Sequence, residues 1–309
     1  MGAIGKAFGI FSILLLLWGS YVAYAVLTSS PSFSARWGRV DPQETEILIS
    51  GSYSRPLLVP VTLKNVEVSF MGREVARLGK FTYTPTGRNL DVGLVINNTQ
   101  LVDAFLSYFA AGERGSMKIT VVPKLFGLLS LKLNVTVPVQ QKILEEIHLQ
   151  AESQPIAGVP FLKTPALLDT RVSYSGSSSG VARFRTELVL RNPNPYPLPV
   201  LRLAYVLRAN GLDVGRGEME KGPLVIPAGG TVRVPLTTEV NTSSLREAWA
   251  RHVNNGEESV VQAELYLRLR IEVQGFSTVK DVKVTTINKT VKTNIMESIN
   301  EALASINNP

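Results

Sequence analysis

Residues 183–208 read RFRTELVLRNPNPYPLPVLRLAYVLR, and this stretch decides the fold class. A proline-rich segment stands between two runs of alternating side chains. In the first run Phe184, Thr186, Leu188 and Leu190 alternate with Arg183, Arg185 and Glu187. In the second run Leu201, Leu203, Tyr205 and Leu207 alternate with Arg202 and Arg208. A period of two predicts two strands, each with one face in a core and the other in water.

The segment between these strands carries prolines at alternate positions, namely Pro193, Pro195, Pro197 and Pro199. A proline removes one backbone donor from a sheet, so the segment cannot be a central strand and is predicted to form a rigid, extended edge. Asn192 and Asn194 are expected to hydrogen-bond to nearby backbone and to accommodate the turn. A proline-rich ligand for an SH3-type domain is the alternative function of such a segment.

The same order of elements occurs twice in the chain. The matched pairs are Pro60 to Gly72 with Pro199 to Gly211, Pro85-Thr86-Gly87 with Pro227-Ala228-Gly229, Asn98-Thr99 with Asn241-Thr242, and helices at 101–111 and 245–255. The apolar stripes of these helices are predicted to be Leu101, Phe105 and Phe109 in the first, and Leu245, Trp249 and Val253 in the second. Alternating strands at 129–139 and 263–273 are expected to close the two units with one face in a core.

We therefore predict a mainly β protein with two tandem antiparallel β-sandwich domains, each containing one short helix. The predicted domains cover residues 40–147 and 169–290, and an aperiodic linker at 148–168 joins them. Residues 293–307 place Ile295 and Ile299 at helical spacing, which predicts a C-terminal amphipathic helix. This helix either docks on a domain or binds a partner.

The N-terminal residues Ala7 to Leu27 read AFGIFSILLLLWGSYVAYAVL and contain no charge. Such a run is about 30 Å long as a helix, which matches the core of a bilayer. We predict a single transmembrane anchor at 7–28, with residues 1–6 cytoplasmic and the body extracytoplasmic. The alternative is a signal peptide that is cleaved near Ala25, which gives a secreted protein. Asn97, Asn134, Asn241 and Asn288 are candidate N-glycosylation sites, since each begins an Asn-x-Ser/Thr triplet.

Composition excludes several kinds of chemistry. The 309 residues include no cysteine and two histidines, which rules out disulfides, thiol nucleophiles and the common zinc sites. The formal net charge of +7 permits anionic partners, but no basic run is interleaved with aromatic residues, so nucleic acid is not expected. Gly176 to Gly180 match the G-x-S-x-G pattern of hydrolases, yet predicted strands lie on both sides, which favours a hairpin loop. His252 is expected near a helix end, where it would interact with the helix dipole. We predict no catalytic residue, metal or cofactor.

The Asn-Pro-Asn segment, the strand LRLAYVLR, the turn containing Gly211 and the run IPAGGTVRVPLTTEV together form a recognisable set. This set resembles the water-stress and hypersensitive-response domain, which belongs to the second structural group of late-embryogenesis-abundant proteins. The resemblance covers about residues 168–285, and residues 40–145 share only its order and spacing. Its motif residues here are Asn192, Pro193, Asn194, Pro195, Pro197, Pro199, Gly211, Pro227 and Gly229.

The resemblance implies an antiparallel β-sandwich of fibronectin type III-like arrangement and a non-enzymatic role in the response to desiccation or other stress. It implies no catalytic residue. The first functional expectation is thus a membrane-anchored module that protects against stress or binds envelope proteins. The second is a lipid-binding or lipid-transfer module, because a β-sandwich beside a membrane can expose an apolar groove and positive charge suits anionic headgroups. The oligomeric state is left open.

Overall fold

The computed structural model describes residues 16–22, 24–25, 28, 32–140, 142–145, 147–273 and 276–307. Domain one contains β1 (Ser32–Val40), β2 (Glu44–Ser52), β3 (Val61–Phe70), β4 (Arg73–Tyr83), β5 (Asn89–Asn97), α1 (Asn98–Ala110), β6 (Gly115–Leu125), β7 (Leu129–Ser130) and β8 (Leu133–Val139). Domain two contains β9 (Pro155–Ile156), β10 (Val159–Lys163), β11 (Ala166–Ser178), β12 (Val181–Arg191), β13 (Leu198–Ala209), β14 (Leu212–Met219), β15 (Leu224–Ile226), β16 (Thr231–Asn241), α2 (Thr242–Asn254), β17 (Glu258–Val273) and β18 (Phe276–Lys292). The C-terminal helix is α3 (Ile295–Asn307).

The protein is mainly β, with two antiparallel sheets of eight strands each. The strand order is β1-β2-β5-β4-β3-β6-β7 in domain one, with β8 also paired to β6. The order is β11-β12-β16-β14-β13-β17-β18 in domain two, with β15 also paired to β13. Strand by strand the two orders correspond, and in each domain the helix follows the third strand of that order. This arrangement fits a tandem two-domain β fold.

Short hairpins fix the register of the strands. Asn210 and Gly211 join β13 to β14 with φ angles of 49° and 76°, and Ser179 and Gly180 join β11 to β12 with φ angles of 52° and 78°. Two consecutive residues with positive φ make the turn that matches the twist of paired strands, and glycine adopts the second position without a steric penalty. The run from Gly176 to Gly180 is therefore part of a hairpin, as predicted, and no helix follows it.

The sheet of domain two closes over itself. Tyr205 on β13 donates a hydrogen bond of 3.0 Å from its hydroxyl to Thr186 on β12, although two strands separate β13 from β12 in the sheet order. Neighbouring strands lie about 4.8 Å apart, so a flat sheet would leave these strands roughly 14 Å apart. The inner faces therefore pack against each other, which gives the domain its sandwich character. The core lies between them; its buried residues come from β9–β13 and β15–β18, and Met219 of β14 packs against it.

Domain one buries fewer side chains. Its main cluster of buried residues consists of Phe70, Val75, Ala104 and Tyr108, at the end of the sheet where α1 packs. The alternating residues at 129–139, predicted to face a core, lie on β7, on β8 and between them. Their side chains are exposed except that of Val139, which packs partly buried against the main cluster. The alternation was therefore a correct indication of a strand but a wrong indication of burial.

Two boundaries differ from the sequence prediction. Domain one begins with β1 at Ser32 and not at residue 40. The segment 148–168, predicted to be a linker, contains β9, β10 and the start of β11. Its prolines break the periodicity, yet Ile156, Val159 and Leu162 belong to the core of domain two.

The C-terminal helix α3 packs on β1 of domain one. Glu257, which follows α2, accepts hydrogen bonds from the backbone N–H groups of Ile295 and Met296 at 2.6 Å and 2.9 Å. The same carboxylate accepts a hydrogen bond of 3.0 Å from Nε1 of Trp37 on β1. Farther along α3, Asn300 hydrogen-bonds to both backbone groups of Ala35. A residue of domain two thus caps a helix that is docked on domain one.

The described residues of the N-terminal segment, 16–22, 24–25 and 28, are helical. Trp18 donates from Nε1 to the carbonyl oxygen of Leu58 at 3.1 Å, and its ring meets Phe126 edge-on with centroids 5.4 Å apart. The first half of the predicted anchor at 7–28 lies outside the described residues. Among the helices that the structure does describe, none has the length and apolar character needed to cross a membrane.

Candidate functional site

An apolar cavity of about 420 Å³ lies between α1 of domain one and the inner face of the domain-two sheet. We call it the junction cavity. Its walls come from α1, from the chain at 143–149, from all the long strands of domain two and from α2. The lining residues are Val102, Phe105, Leu106, Phe109, Ile143, Leu144, Ile147, Leu149, Leu167, Thr170, Val172, Phe184, Thr186, Leu188, Tyr205, Leu207, Val214, Thr238, Val240, Leu245, Ala263, Leu265 and Ile287.

Helix α1 supplies the wall from domain one. Asn97 caps the helix, since its side-chain oxygen accepts a hydrogen bond from the backbone N–H of Gln100 at 3.0 Å. Leu106 is buried, while Phe105 stays 37% exposed where the predicted stripe required burial. Leu101 and Phe109 of the predicted stripe pack against the core of domain one, and Leu106, outside that stripe, packs against domain two. Phe109 meets Tyr174 and Phe184 of domain two with centroids 6.3 Å and 6.1 Å away.

The chain at 142–149 covers one side of the junction cavity, in the parts that the structure describes. Glu113, which is buried, accepts a hydrogen bond of 2.7 Å from the backbone N–H of Leu144. At the other end of this cover, Nδ1 of His148 lies 3.0 Å from a carboxylate oxygen of Asp169 on β11. The hydrogen bond from His148 is the largest cause that holds the pKa of Asp169 below its ordinary value. Two polar contacts therefore hold this segment in place, and the residues it contributes to the cavity lining are apolar.

Three hydroxyl groups lie together on the wall formed by domain two. Tyr205 bonds to Thr186 at 3.0 Å and also to Thr238, and the two threonine hydroxyls are 2.7 Å apart. Three hydroxyls in a ring can each donate one hydrogen bond and accept one, so the group is satisfied internally. Burial raises the pKa of Tyr205, which keeps the phenol neutral. The wall is therefore uncharged, with one polar spot.

Catalytic chemistry finds no support in the described part of the chain. No group of three or more His, Asp or Glu residues there could hold a metal ion. The imidazole of His252 is buried, with Nδ1 2.9 Å from Ser259 and Nε2 2.9 Å from Thr293. Burial lowers the pKa of His252, so the ring is neutral at pH 7 and braces α2 against the start of α3. His252 lies in the last turn of α2, near the helix end as predicted, and its ring nitrogens are engaged by Ser259 and Thr293.

The Asn-Pro-Asn segment lies apart from the junction cavity and forms a buried amide network. The side-chain nitrogen of Asn192 donates to the carbonyl oxygens of Tyr196, Ile226 and Pro227, at distances of 2.8–3.1 Å. Its side-chain oxygen accepts from the backbone N–H of Asn194 at 3.0 Å. Both asparagines are buried, so these bonds are made away from water.

Asn194 extends this network to the hairpin that precedes β11. Its side chain donates to the carbonyl oxygen of Lys163 and accepts from the backbone N–H of the same residue, both at 2.8 Å. Its own carbonyl oxygen accepts from the N–H of Gly229, which has a φ of 63° in the turn that begins at Pro227. The two asparagines thereby join three separate pieces of chain, and this role is structural.

The prolines of the motif occupy positions that need no ladder donor. Pro193, Pro195 and Pro197 precede β13, and Pro199 lies near its start, opposite the short strand β15. Domain one has Arg55 to Pro60 in place of this segment, and there a backbone hydrogen bond from the N–H of Leu58 to the carbonyl oxygen of Pro85 links it to the facing turn. The buried amide network thus belongs to domain two.

The four candidate glycosylation sites lie on exposed residues. Asn97 and Asn241 are the N-cap residues of α1 and α2, which gives both a structural reason to be asparagine. Asn134 on β8 accepts a hydrogen bond from Thr120 at 2.9 Å, and Asn288 lies on β18. Glycosylation stays a prediction at each of them.

Residues 187–290 match the late embryogenesis abundant protein family. The match begins in β12 and ends in β18, so it includes the Asn-Pro-Asn segment and α2 and leaves domain one outside. It supports the family resemblance that the motif residues predicted for domain two. No curated protein matches the chain.

Two solved structures are similar to parts of the chain. A protein from Archaeoglobus fulgidus is 20% identical with a TM-score of 0.33, over 41% of this chain and 98% of that one. A protein from Arabidopsis thaliana, solved in solution, is 14% identical with a TM-score of 0.33, over 50% of this chain and 92% of that one.

Sequence reasoning missed the junction cavity. Its lining residues come from three regions of the chain, 102–109, 143–149 and 167–287. No local pattern distinguishes a side chain that faces a void from one that faces another side chain. The expectation of an apolar groove beside a β-sandwich was general and named none of these residues.

Proposed function

We propose that the protein is a non-enzymatic, late-embryogenesis-abundant-like module that binds the acyl chain of a lipid in the junction cavity. The observation that supports this function is the cavity itself, since nearly all of its lining side chains are apolar. Small-molecule sites in proteins typically measure about 300–1,000 Å³ and are mostly apolar with a few polar groups. The uncharged wall with its single hydroxyl cluster suits a hydrocarbon chain.

Energetics favour an occupant. An empty apolar cavity of about 420 Å³ leaves its lining side chains without the dispersion contacts of a close-packed interior. Water recovers little of this loss, because an apolar cavity offers it few hydrogen-bond partners. A hydrocarbon chain restores the missing dispersion contacts and removes its own apolar surface from water.

The test is native mass spectrometry of the full-length protein extracted from its own membranes. We expect lipid bound at a fixed stoichiometry of one per chain. Val172→Trp should abolish this binding, because Val172 lines the cavity and the indole ring would fill it. Ser173→Trp is the matched control, since the next residue of β11 points to the outer face and is exposed. A bare wild-type mass, or equal lipid in both variants, would refute the function.

The protein is further proposed to be a single-pass membrane protein, with the anchor at 7–28 retained and the body extracytoplasmic. The uncharged run from Ala7 to Leu27 supports this topology. The intact mass from the same experiment decides between retention and cleavage near Ala25, because cleavage would remove nearly all of the run.

A second role in protection against desiccation, or in binding envelope proteins, is favoured by the family match at 187–290. Deletion of the gene should then reduce survival of drying, salt or heat. Unchanged survival and unchanged envelope integrity would count against this role without bearing on lipid binding.

A further inference from the structure

An apolar surface on domain one is open to solvent. We call it the hairpin surface, and it consists of Phe126, Leu128, Leu129, Leu131, Leu133, Val135 and Val137. Their exposed fractions run from 42% at Leu131 to 87% at Leu128. The residues follow one another through the turn after β6, through β7 and along one face of β8. Soluble proteins rarely leave so continuous an apolar surface in water, and such surfaces usually contact a membrane or another protein.

Domain two shows what normally covers this position. Its strand β18 pairs with β17 as β8 pairs with β6. On β18, Val282 and Val284 are buried in the core, together with Ile156 and Leu162 of the β9–β10 hairpin. On β8, Leu133 and Val135 remain more than half exposed. The apolar face of domain one therefore continues to the edge of its sheet without the cover that domain two provides.

The chain next to the hairpin surface indicates what the cover is. Phe126 is in edge-to-face contact with Trp18, which belongs to the uncharged run Ala7 to Leu27. The hairpin surface therefore lies beside the second half of the only run in this sequence long enough to span a bilayer. Tryptophan and tyrosine are enriched where a membrane meets water, and Trp18 and Tyr21 lie in the half of the run that contacts domain one.

Charge around the hairpin surface points the same way. Residues 123–140 carry Lys124 and Lys132 and contain no acidic residue. Lys132 is exposed between Leu131 and Leu133. Leucine side chains interleaved with lysines are typical of segments that lie in the interface of an anionic membrane, with the ammonium groups at the headgroups and the apolar side chains below them.

We propose that the hairpin surface inserts into the outer interface of the bilayer that holds the N-terminal anchor. Leu128 and Leu129 enter the acyl region, and Lys124 and Lys132 contact anionic headgroups. The protein then meets the membrane at two places, which fixes the orientation of domain one. This inference rests on the proposed anchor and is independent of lipid in the junction cavity.

The experiment uses the full chain in vesicles made from equal parts of phosphatidylcholine and phosphatidylglycerol. Because the chain has no cysteine, Leu128→Cys provides a single site for an environment-sensitive nitrobenzoxadiazole label. Val225→Cys is the matched control, since Val225 is 56% exposed on β15 of domain two. Nitroxide-labelled lipids, with the spin label near the glycerol end of the acyl chain, report contact with the bilayer.

We expect the label at position 128 to be quenched at least several-fold more strongly than the label at 225. Replacing Lys124 and Lys132 by glutamine should lower the docking equilibrium about fivefold for each lysine in anionic vesicles. If the protein co-sediments with the vesicles but the labels at 128 and 225 are quenched equally, the proposed contact of the hairpin surface with the bilayer is refuted. The proposed anchor is not affected by that result. A blue-shifted label at 128 without quenching would also overturn the proposed contact, because protein would then cover the surface. Failure to co-sediment would refute the anchor itself.

Discussion

Replacing Asn192 by aspartate tests the buried amide network with almost no change in volume. The substitution removes the donors that face the carbonyl oxygens of Tyr196, Ile226 and Pro227. A neutral hydrogen bond contributes about 1 kcal/mol net, and a buried carbonyl left without its donor costs more. The amide nitrogen has two N–H groups shared among three acceptors, so the loss of its bonds predicts a decrease of at least ~2 kcal/mol in the free energy of unfolding at pH 7.

The loss should depend on pH. The introduced carboxyl lies among carbonyl oxygens in a buried site, which raises its pKa in the folded state above the unfolded value of about 3.9. A raised folded pKa means that protonation favours the folded state, so the destabilisation is smallest below about pH 4 and grows as the pH rises. Urea denaturation at several pH values, with hydrogen exchange to locate the effect in domain two, measures both quantities.

Asn288→Asp is the control for this substitution, because Asn288 is exposed on β18 and undergoes the same change of charge. A loss below ~1 kcal/mol for Asn192→Asp, or a loss equal to that of the control, would refute the stabilising role of the network. A loss that does not vary with pH would refute the proposed environment of the carboxyl.

Three further substitutions test other contacts. Glu257→Gln should make the amides of α3 exchange roughly tenfold faster, because the carboxylate caps that helix. Glu264→Gln should destabilise the protein at pH 7, as measured by urea denaturation. Hydrogen bonds, led by that from Lys283, lower the pKa of Glu264 to about 2, so the carboxylate stabilises the folded state and this stabilisation is lost as the pH falls from about 4.5 to about 2. Gly217→Ala should lower the unfolding free energy by about 1–3 kcal/mol, because a Cβ there would collide with the ring of Tyr205.

Each of these substitutions has an outcome that would contradict it. Glu258→Gln is the control for α3, since Glu258 contacts Lys292 at the surface, and equal exchange in both variants would show that the cap is unimportant. For Glu264, a difference from wild type that persists below pH 2 would show that ionisation is not the cause. Full stability of Gly217→Ala would mean that Tyr205 can move, and its hydroxyl bonds would then be weaker than their geometry indicates.

Much of domain two could be predicted from its sequence. The alternation at 183–190 and 201–207 reflects strands with one face packed in the core and the other in water. Burial of one face is therefore the cause of both the sequence pattern and the structure. Asn210-Gly211 predicts a hairpin because these residues accept positive φ. The asparagines of the Asn-Pro-Asn segment hydrogen-bond to backbone as expected. The hydrogen bond from Asn194 to Lys163 depends on the β9–β10 hairpin, which the sequence did not predict because its prolines break the periodicity.

The junction cavity and the hairpin surface could not be predicted in the same way. Leu188 on a wall of the cavity and Leu133 on the exposed strand β8 both stand in regular alternation. Alternation records which face of a strand is apolar, but the element that covers that face comes from elsewhere in the chain. The orientation of α1 depends likewise on a second domain, which its own stripe does not reveal.

The walls of the junction cavity have a thermodynamic consequence for the way the whole chain unfolds. A ligand held by α1 and by the domain-two sheet has no complete site once either domain opens, so its binding free energy is lost whichever domain unfolds first. Occupied protein should therefore melt in a single cooperative transition, and protein stripped of ligand should melt in two. The bound molecule would thus form part of the interface between the domains, and the number of melting transitions would report whether the cavity is occupied.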